Sequence, residues 1–142
     1  MKRLLNTSLP EKNVVHVFLL IFRICAGAFM LTHGIPKLMK LLSGNEIQFA
    51  DPFGFGAGPS LFLVVFAEFF CSILIMLGLA TRLAVIPLMI TMLTATFYAH
   101  ADDPFATKEK PLLFLLIFAA LFVFGSGHFS IDRMVGKKGI RK

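Results

Sequence analysis

Apolar residues along this chain gather in four long blocks separated by polar breaks, a pattern unlike the alternation of a strand or the narrow stripe of a soluble amphipathic helix. The blocks run roughly from Val14 to His33, Ser60 to Leu79, Leu83 to His100 and Pro111 to Gly125. A helix of about 20 apolar residues crosses the roughly 30 Å hydrocarbon core of a bilayer, so each block predicts a membrane-crossing helix. Pro36 falls just past the end of the first. Gly58-Pro59-Ser60 offers the second a breaker, a proline tolerated at a helix start and a capping hydroxyl. Gly78-Leu79-Ala80-Thr81-Arg82 is so short that helices two and three must form an antiparallel hairpin. The fourth block is the shortest, and its helix has room to start near Thr107. The expected fold class is all-α: one domain over residues 1–142, an antiparallel bundle of four transmembrane helices.

Composition points the same way. The chain is 57% hydrophobic and 15% charged over 142 residues, with a mean hydropathy of +0.82, which excludes an ordinary soluble domain. Its net charge of +6 sits at segment ends, where positive residues determine topology, so no nucleic-acid partner is expected. Lys2, Arg3, Lys12, Arg82, Arg133, Lys137, Lys138, Arg141 and Lys142 share one face of the predicted topology. The other face has Lys37, Lys40, Lys108 and Lys110 mixed with Glu46, Asp51, Asp102, Asp103 and Glu109. Both termini are therefore expected in the cytoplasm. Met1 to Arg3 could open a secretory signal, but Arg23 interrupts the apolar stretch and the block outruns a signal core, so a retained first helix is expected. Cys25 and Cys71 lack CxxC spacing and give no disulfide framework or zinc motif. Gly44 to Gly58, rich in glycine and phenylalanine, reads as an interfacial loop.

Two charges fall inside the apolar blocks, Arg23 and Glu68. A charge at the bilayer centre costs roughly 3 kcal/mol even on the lenient insertion scale, so each needs a partner or water. Counting at about 1.5 Å per residue from the cytoplasmic block ends puts Arg23 roughly 14 Å deep and Glu68 roughly 17 Å deep, which predicts that they pair. That pair either fixes helix packing or marks a functional site. On a helical wheel Arg23, Ala26, Gly27, Met30, His33, Gly34 and Lys37 fall within about 120° of arc, while Cys25 points about 160° from Arg23. Gly27 and Gly34 allow close approach of a second helix. Glu68 shares its face with Cys71, Ser72 and Ile75, and Ser72 is placed to hydrogen-bond the carboxylate. Thr91 and Thr94 are expected to bond carbonyls of their preceding turns.

Near the outer surface the chain places His33 and Lys37 one turn apart, His100 at the end of helix three, and Asp102, Asp103, Glu109 and Lys110 in a loop. No HxxxH or HxH pair is present, and no metal site is expected. A proton-exchanging or anion-binding mouth fits better, since histidine titrates near neutral pH and lysine attracts anions; interfacial anchoring is the alternative for Lys37. After helix four, Gly125 to Arg133 reads as a turn in which Ser130 caps a short basic amphipathic segment, with Asp132 in its first turn and His128 on the surface.

Four pieces together resemble the DoxX family of small bacterial membrane proteins: Arg23-Ile24 followed by Gly27 and His33-Gly34-Ile35-Pro36-Lys37; Glu68; Gly78-Leu79-Ala80-Thr81-Arg82; and the Gly125 to Asp132 ending. The resemblance spans nearly the whole chain, while the Gly44 to Gly58 loop matches no family pattern. It implies a multi-pass protein of the bacterial cytoplasmic (inner) membrane, associated in some family members with redox systems that include thiosulfate:quinone oxidoreductase. It assigns no catalytic residue.

The leading functional expectation is a membrane subunit of a quinone-linked redox system, binding a quinone or similar amphipathic molecule inside the bundle. Arg23, Glu68, Lys37 and Ser72 would bind the ligand, and Glu68, His33 and His100 would exchange protons. No covalent cofactor is expected: haem, flavin and iron–sulfur signatures are missing, so electrons would come from a redox partner protein and the chain would not act as an autonomous enzyme. The bilayer is its first partner, and a homo-oligomer is compatible with the sequence. The alternatives are a small-solute transporter or channel, for which buried charges would mark the path, and a noncatalytic scaffold that recruits a soluble enzyme through the basic tail.

Overall fold

A computed structural model describes residues 11–139 of the chain, and every regular element among them is helical. Helix α1 (Lys12–Leu42) is followed by α2 (Ala57–Val65), a π-helical segment (Phe66–Cys71) and α3 (Ser72–Leu77), which form one continuous rod. Helix α4 (Thr81–Thr94) continues into a second π-helical segment (Ala95–Ala99). Then come α5 (Phe105–Phe124) and α6 (Ile131–Gly139). Three rods, Lys12–Leu42, Ala57–Leu77 and Thr81–Ala99, are long and apolar enough to cross a membrane. Helix α5 has 20 residues, with Lys108, Glu109 and Lys110 in its first two turns. Lys2, Arg3, Arg141 and Lys142, counted above toward the cytoplasmic charge, lie outside the described residues, as do the side chains of Lys137 and Lys138.

The first helix does not stop at His33. It runs on to Leu42 with Pro36 inside it, because one missing N–H removes a single bond from a long ladder and membrane helices tolerate that loss. The second helix starts at Ala57, and Ser60 is not its cap. Instead Asp51 of the preceding loop accepts N–H bonds from Phe55 (3.0 Å) and Gly56 (2.7 Å) and the Ser60 hydroxyl (2.7 Å). These hydrogen bonds, that of Ser60 first, hold the Asp51 carboxyl below its ordinary value of 3.8.

Helix α1 buries Leu19, Arg23, Ala26, Gly27, Met30 and Gly34; all but Leu19 belong to the stripe expected from its periodicity, whose His33 and Lys37 are only partly buried. A Cβ on Gly27 would stand 2.9 Å from the Ser72 carbonyl oxygen, and one on Gly34 would stand 2.7 Å from the Glu68 carbonyl. The two rods thus lie backbone against backbone, which only glycine permits at those levels. Met30, Ile75, Val85, Leu88, Phe118 and Leu121 form the centre of the apolar core, drawn from α1, α3, α4 and α5. Outward-facing Phe29, Leu83, Phe97, Leu116 and Val123 are exposed and suit lipid contact.

Candidate functional site

The charged side chains sort into two clusters, one at each end of the α1–α3 contact. At the α3–α4 turn, Gly78 takes φ 67° and Ala80 takes φ 48°. Arg23 lies against Gly78, leaving no room there for a side chain. One guanidinium nitrogen donates to the Ser126 carbonyl (2.6 Å) and the other terminal nitrogen to the Phe129 carbonyl. Asp132 closes the same cluster. Its carboxylate accepts the N–H groups of Ala80 (2.6 Å) and Thr81 (3.2 Å), capping α4 from a distant part of the chain. Its own N–H donates to the Gly78 carbonyl (2.9 Å). Ser130 accepts the Arg133 N–H at 3.4 Å, as a cap of α6 does. His128 packs its ring against His16 of α1, with centroids 5.3 Å apart.

The expected Arg23–Glu68 pair does not form. Gly34, not Arg23, stands opposite Glu68, eleven residues and roughly 16 Å further along α1. The depth count failed because it took the first apolar residues as the membrane edge, whereas α1 extends past the α3–α4 turn and is covered there by the Gly125–Ser130 turn. Glu68 pairs with Lys37 instead. The lysine Nζ donates to both carboxylate oxygens at 2.5 Å, with the Glu68 side chain 4% exposed and that of Lys37 31% exposed.

Glu68 belongs to the first π-helical segment, whose wider turn displaces backbone groups from the α-helical ladder. Ser72 does not bind the carboxylate as expected. Its hydroxyl donates to the Glu68 backbone carbonyl at 2.7 Å and satisfies a group that the π turn rearranges. Thr91 donates to the Pro87 carbonyl, as expected, and Thr96 to that of Met92.

Beside the ion pair lies a largely apolar cavity of about 470 Å³, within the range of small-molecule sites. Both π-helical segments line it, the first with Phe66, Ala67 and Glu68 and the second with Ala95, Tyr98 and Ala99. Phe49 and Phe53 of the glycine-rich loop cover one side, and the Tyr98 hydroxyl donates to the Asp51 carbonyl at 3.4 Å. His100 reaches the lining and is paired with Asp103, Nδ1 to Oδ2 2.6 Å. Of the residues singled out from sequence, Lys37, Glu68 and His100 thus meet at one cavity. Arg23, Ser72 and His33 stand outside its lining, and His33 packs edge-on against Phe114.

Sequence reasoning missed Asp51 and Asp132. Asp51 was read only as a loop acid although its partners lie four to nine residues on; Asp132 does stand in the first turn of α6 as expected, but nothing local marks its second task of capping α4. No group of three or more metal-ligating side chains occurs among the described residues. The four sequence pieces converge in space at two places: Arg23 with the Gly78–Arg82 turn and the Gly125–Asp132 ending, and Lys37 of the same first piece with Glu68. Neither a curated protein nor a solved structure matches the chain. A family model described as DoxX matches residues 18–101, more than half of the chain, and the protein belongs to the DoxX family.

Proposed function

We propose that the chain crosses the membrane four times with both termini in the cytoplasm, and that the cavity beside Glu68 binds a neutral amphipathic molecule of the quinone class. Helix α5 supplies the fourth crossing in this reading: its 20 residues span about 30 Å at 1.5 Å each, and it packs along α4. Nine of the fourteen positive residues then collect on one side, as topology determinants do. The protein serves as a membrane subunit of a quinone-linked redox system in the bacterial inner membrane, with electrons delivered by a partner.

The observation that carries the ligand reading is a buried carboxylate paired with a partly exposed ammonium at the wall of an otherwise apolar cavity of about 470 Å³. Such a pair offers both a donor and an acceptor to a ligand carbonyl or hydroxyl while remaining neutral overall. An anionic headgroup would have to draw Lys37 away and leave Glu68 buried and unpaired, which is costly. A bound quinone would accept electrons and protons; from this chain, Glu68 would hold or release a proton and His100 with Asp103 would exchange it with water.

The test uses the chain's single tyrosine, Tyr98, which lines the cavity in a protein without tryptophan. A short-tailed benzoquinone added to the protein in lipid nanodiscs should quench Tyr98 emission saturably. Ala67→Phe, which fills the cavity, should abolish saturation, and Glu68→Gln should weaken binding by about tenfold. Quenching that does not saturate, or that both variants leave unchanged, overturns the reading.

A further inference from the structure

Asp132 brings together two basic residues that are far apart in sequence. By bonding Ala80, Thr81 and Gly78, it fixes the start of α6 beside the start of α4, so that Arg133 and Arg82 belong to one edge of the molecule. Both arginines are exposed. Arg82 lines an open cleft of about 330 Å³ with Thr81, Leu83, Phe124, Gly125 and Asp132. The adjoining α6 edge leaves Phe129, Met134 and Val135 at least half exposed, and the α6 sequence adds Lys137 and Lys138.

We infer that this edge is a docking surface for anionic phospholipid. Phosphates meet Arg82 and Arg133, and Met134, Val135 and Phe129 enter the boundary between headgroups and acyl chains. Two observations select a lipid surface. The patch is continuous with the outward apolar residues Leu83, Val123 and Phe124, all more than 60% exposed, which suit hydrocarbon contact. It also combines cations with apolar side chains on a short helix, the chemistry of an interfacial segment on anionic lipid. Asp132 keeps its negative charge but directs it at the α4 N–H groups, and Arg82, Arg133, Lys137 and Lys138 outnumber it in sequence.

With no native tryptophan, Met134→Trp is a unique reporter in the full chain. In nanodiscs of mixed composition, brominated phosphatidylglycerol should quench it about twofold or more better than brominated phosphatidylcholine. High salt should remove that preference, because the Debye length falls to roughly 3 Å at 1 M. Arg82→Gln/Arg133→Gln should remove it at low salt; the salt response of Met134→Trp alone decides the matter if that double variant does not fold. Equal quenching by the two lipids overturns the inference. So does absence of quenching, which would leave the surface to a soluble acidic protein.

Discussion

Lys37 Nζ lies 2.5 Å from each carboxylate oxygen of Glu68, so a single ammonium from α1 neutralises the buried acid of the neighbouring rod. The pair ties the carboxyl-terminal part of α1 to the middle of the neighbouring rod. Glu68→Gln should lower stability by roughly 1–3 kcal/mol, a range discounted for the partial exposure of Lys37. Lys37→Met combined with Glu68→Gln should recover part of that loss. A double-mutant cycle on thermal unfolding in detergent checks this, and strictly additive effects would show the two side chains to be uncoupled.

Gly34→Ala should be among the most damaging small substitutions. Its Cβ would meet the Glu68 backbone at 2.7 Å, and backbone cannot swing aside as a side chain can. A loss of about 1–3 kcal/mol is expected. By contrast, Gly58→Ala would meet only Ile47 Cδ1 at 3.9 Å within helix α2, and should be neutral or stabilising by up to about 1 kcal/mol. Comparing the two unfolding midpoints distinguishes close helix approach from loss of glycine flexibility.

At the opposite end, Arg23→Lys should release the Gly125–Ser130 turn. Lysine keeps the charge but has no planar fork to reach the Ser126 and Phe129 carbonyls together. Hydrogen exchange should rise across residues 125–132 while the Glu68 level stays protected, and global stability should fall by roughly 2–3 kcal/mol. Protection that stays at wild-type level in the turn would show that Arg23 does not hold it.

Asp51 sets the acid limit of the loop over the cavity. Its carboxyl is held below 3.8 in the folded chain, first by the Ser60 hydroxyl and then by the Gly56 N–H. A folded value below the unfolded one means that its contribution is complete above about pH 4 and is lost as pH falls through the folded value. Loop protection measured by hydrogen exchange should therefore drop on acidification in the wild type. In Asp51→Asn it should be lower at neutral pH and flat across the same range. An Asp51→Asn curve that still follows the wild type would place the acid response elsewhere.

Legibility differed between the two clusters for a physical reason. The buried face of α1 was readable because helical periodicity repeats over many turns: Arg23, Ala26, Gly27, Met30 and Gly34 of the expected stripe are buried, with Leu19 in addition. The wheel also placed Lys37 on that stripe. Which partner faced which residue was not readable, because antiparallel register depends on where both rods begin and end. Helix α1 begins eleven residues before Arg23, which lies level with Gly78 of the α3–α4 turn, and a hydropathy edge does not show that overhang. Neither π-helical segment was anticipated, since Phe66–Cys71 and Ala95–Ala99 have no composition that separates them from α-helix. Asp132 reaches Ala80 across 52 positions, and only the folded chain brings the two together.

The π-helical segment at Phe66–Cys71 also constrains the length of its rod more than its composition. A π turn holds an additional residue relative to an α-helical one, so the stretches on either side are out of phase by about 100°. Ser60, Leu61 and Val65 on one side and Ser72 and Ile75 on the other are all buried with that offset in place. Deleting one residue between them would regularise the helix and yet rotate one half of the rod by more than a quarter turn, turning one set of buried side chains toward lipid. Spacing through this segment is therefore less free to vary than the identity of its outward phenylalanine, Phe70.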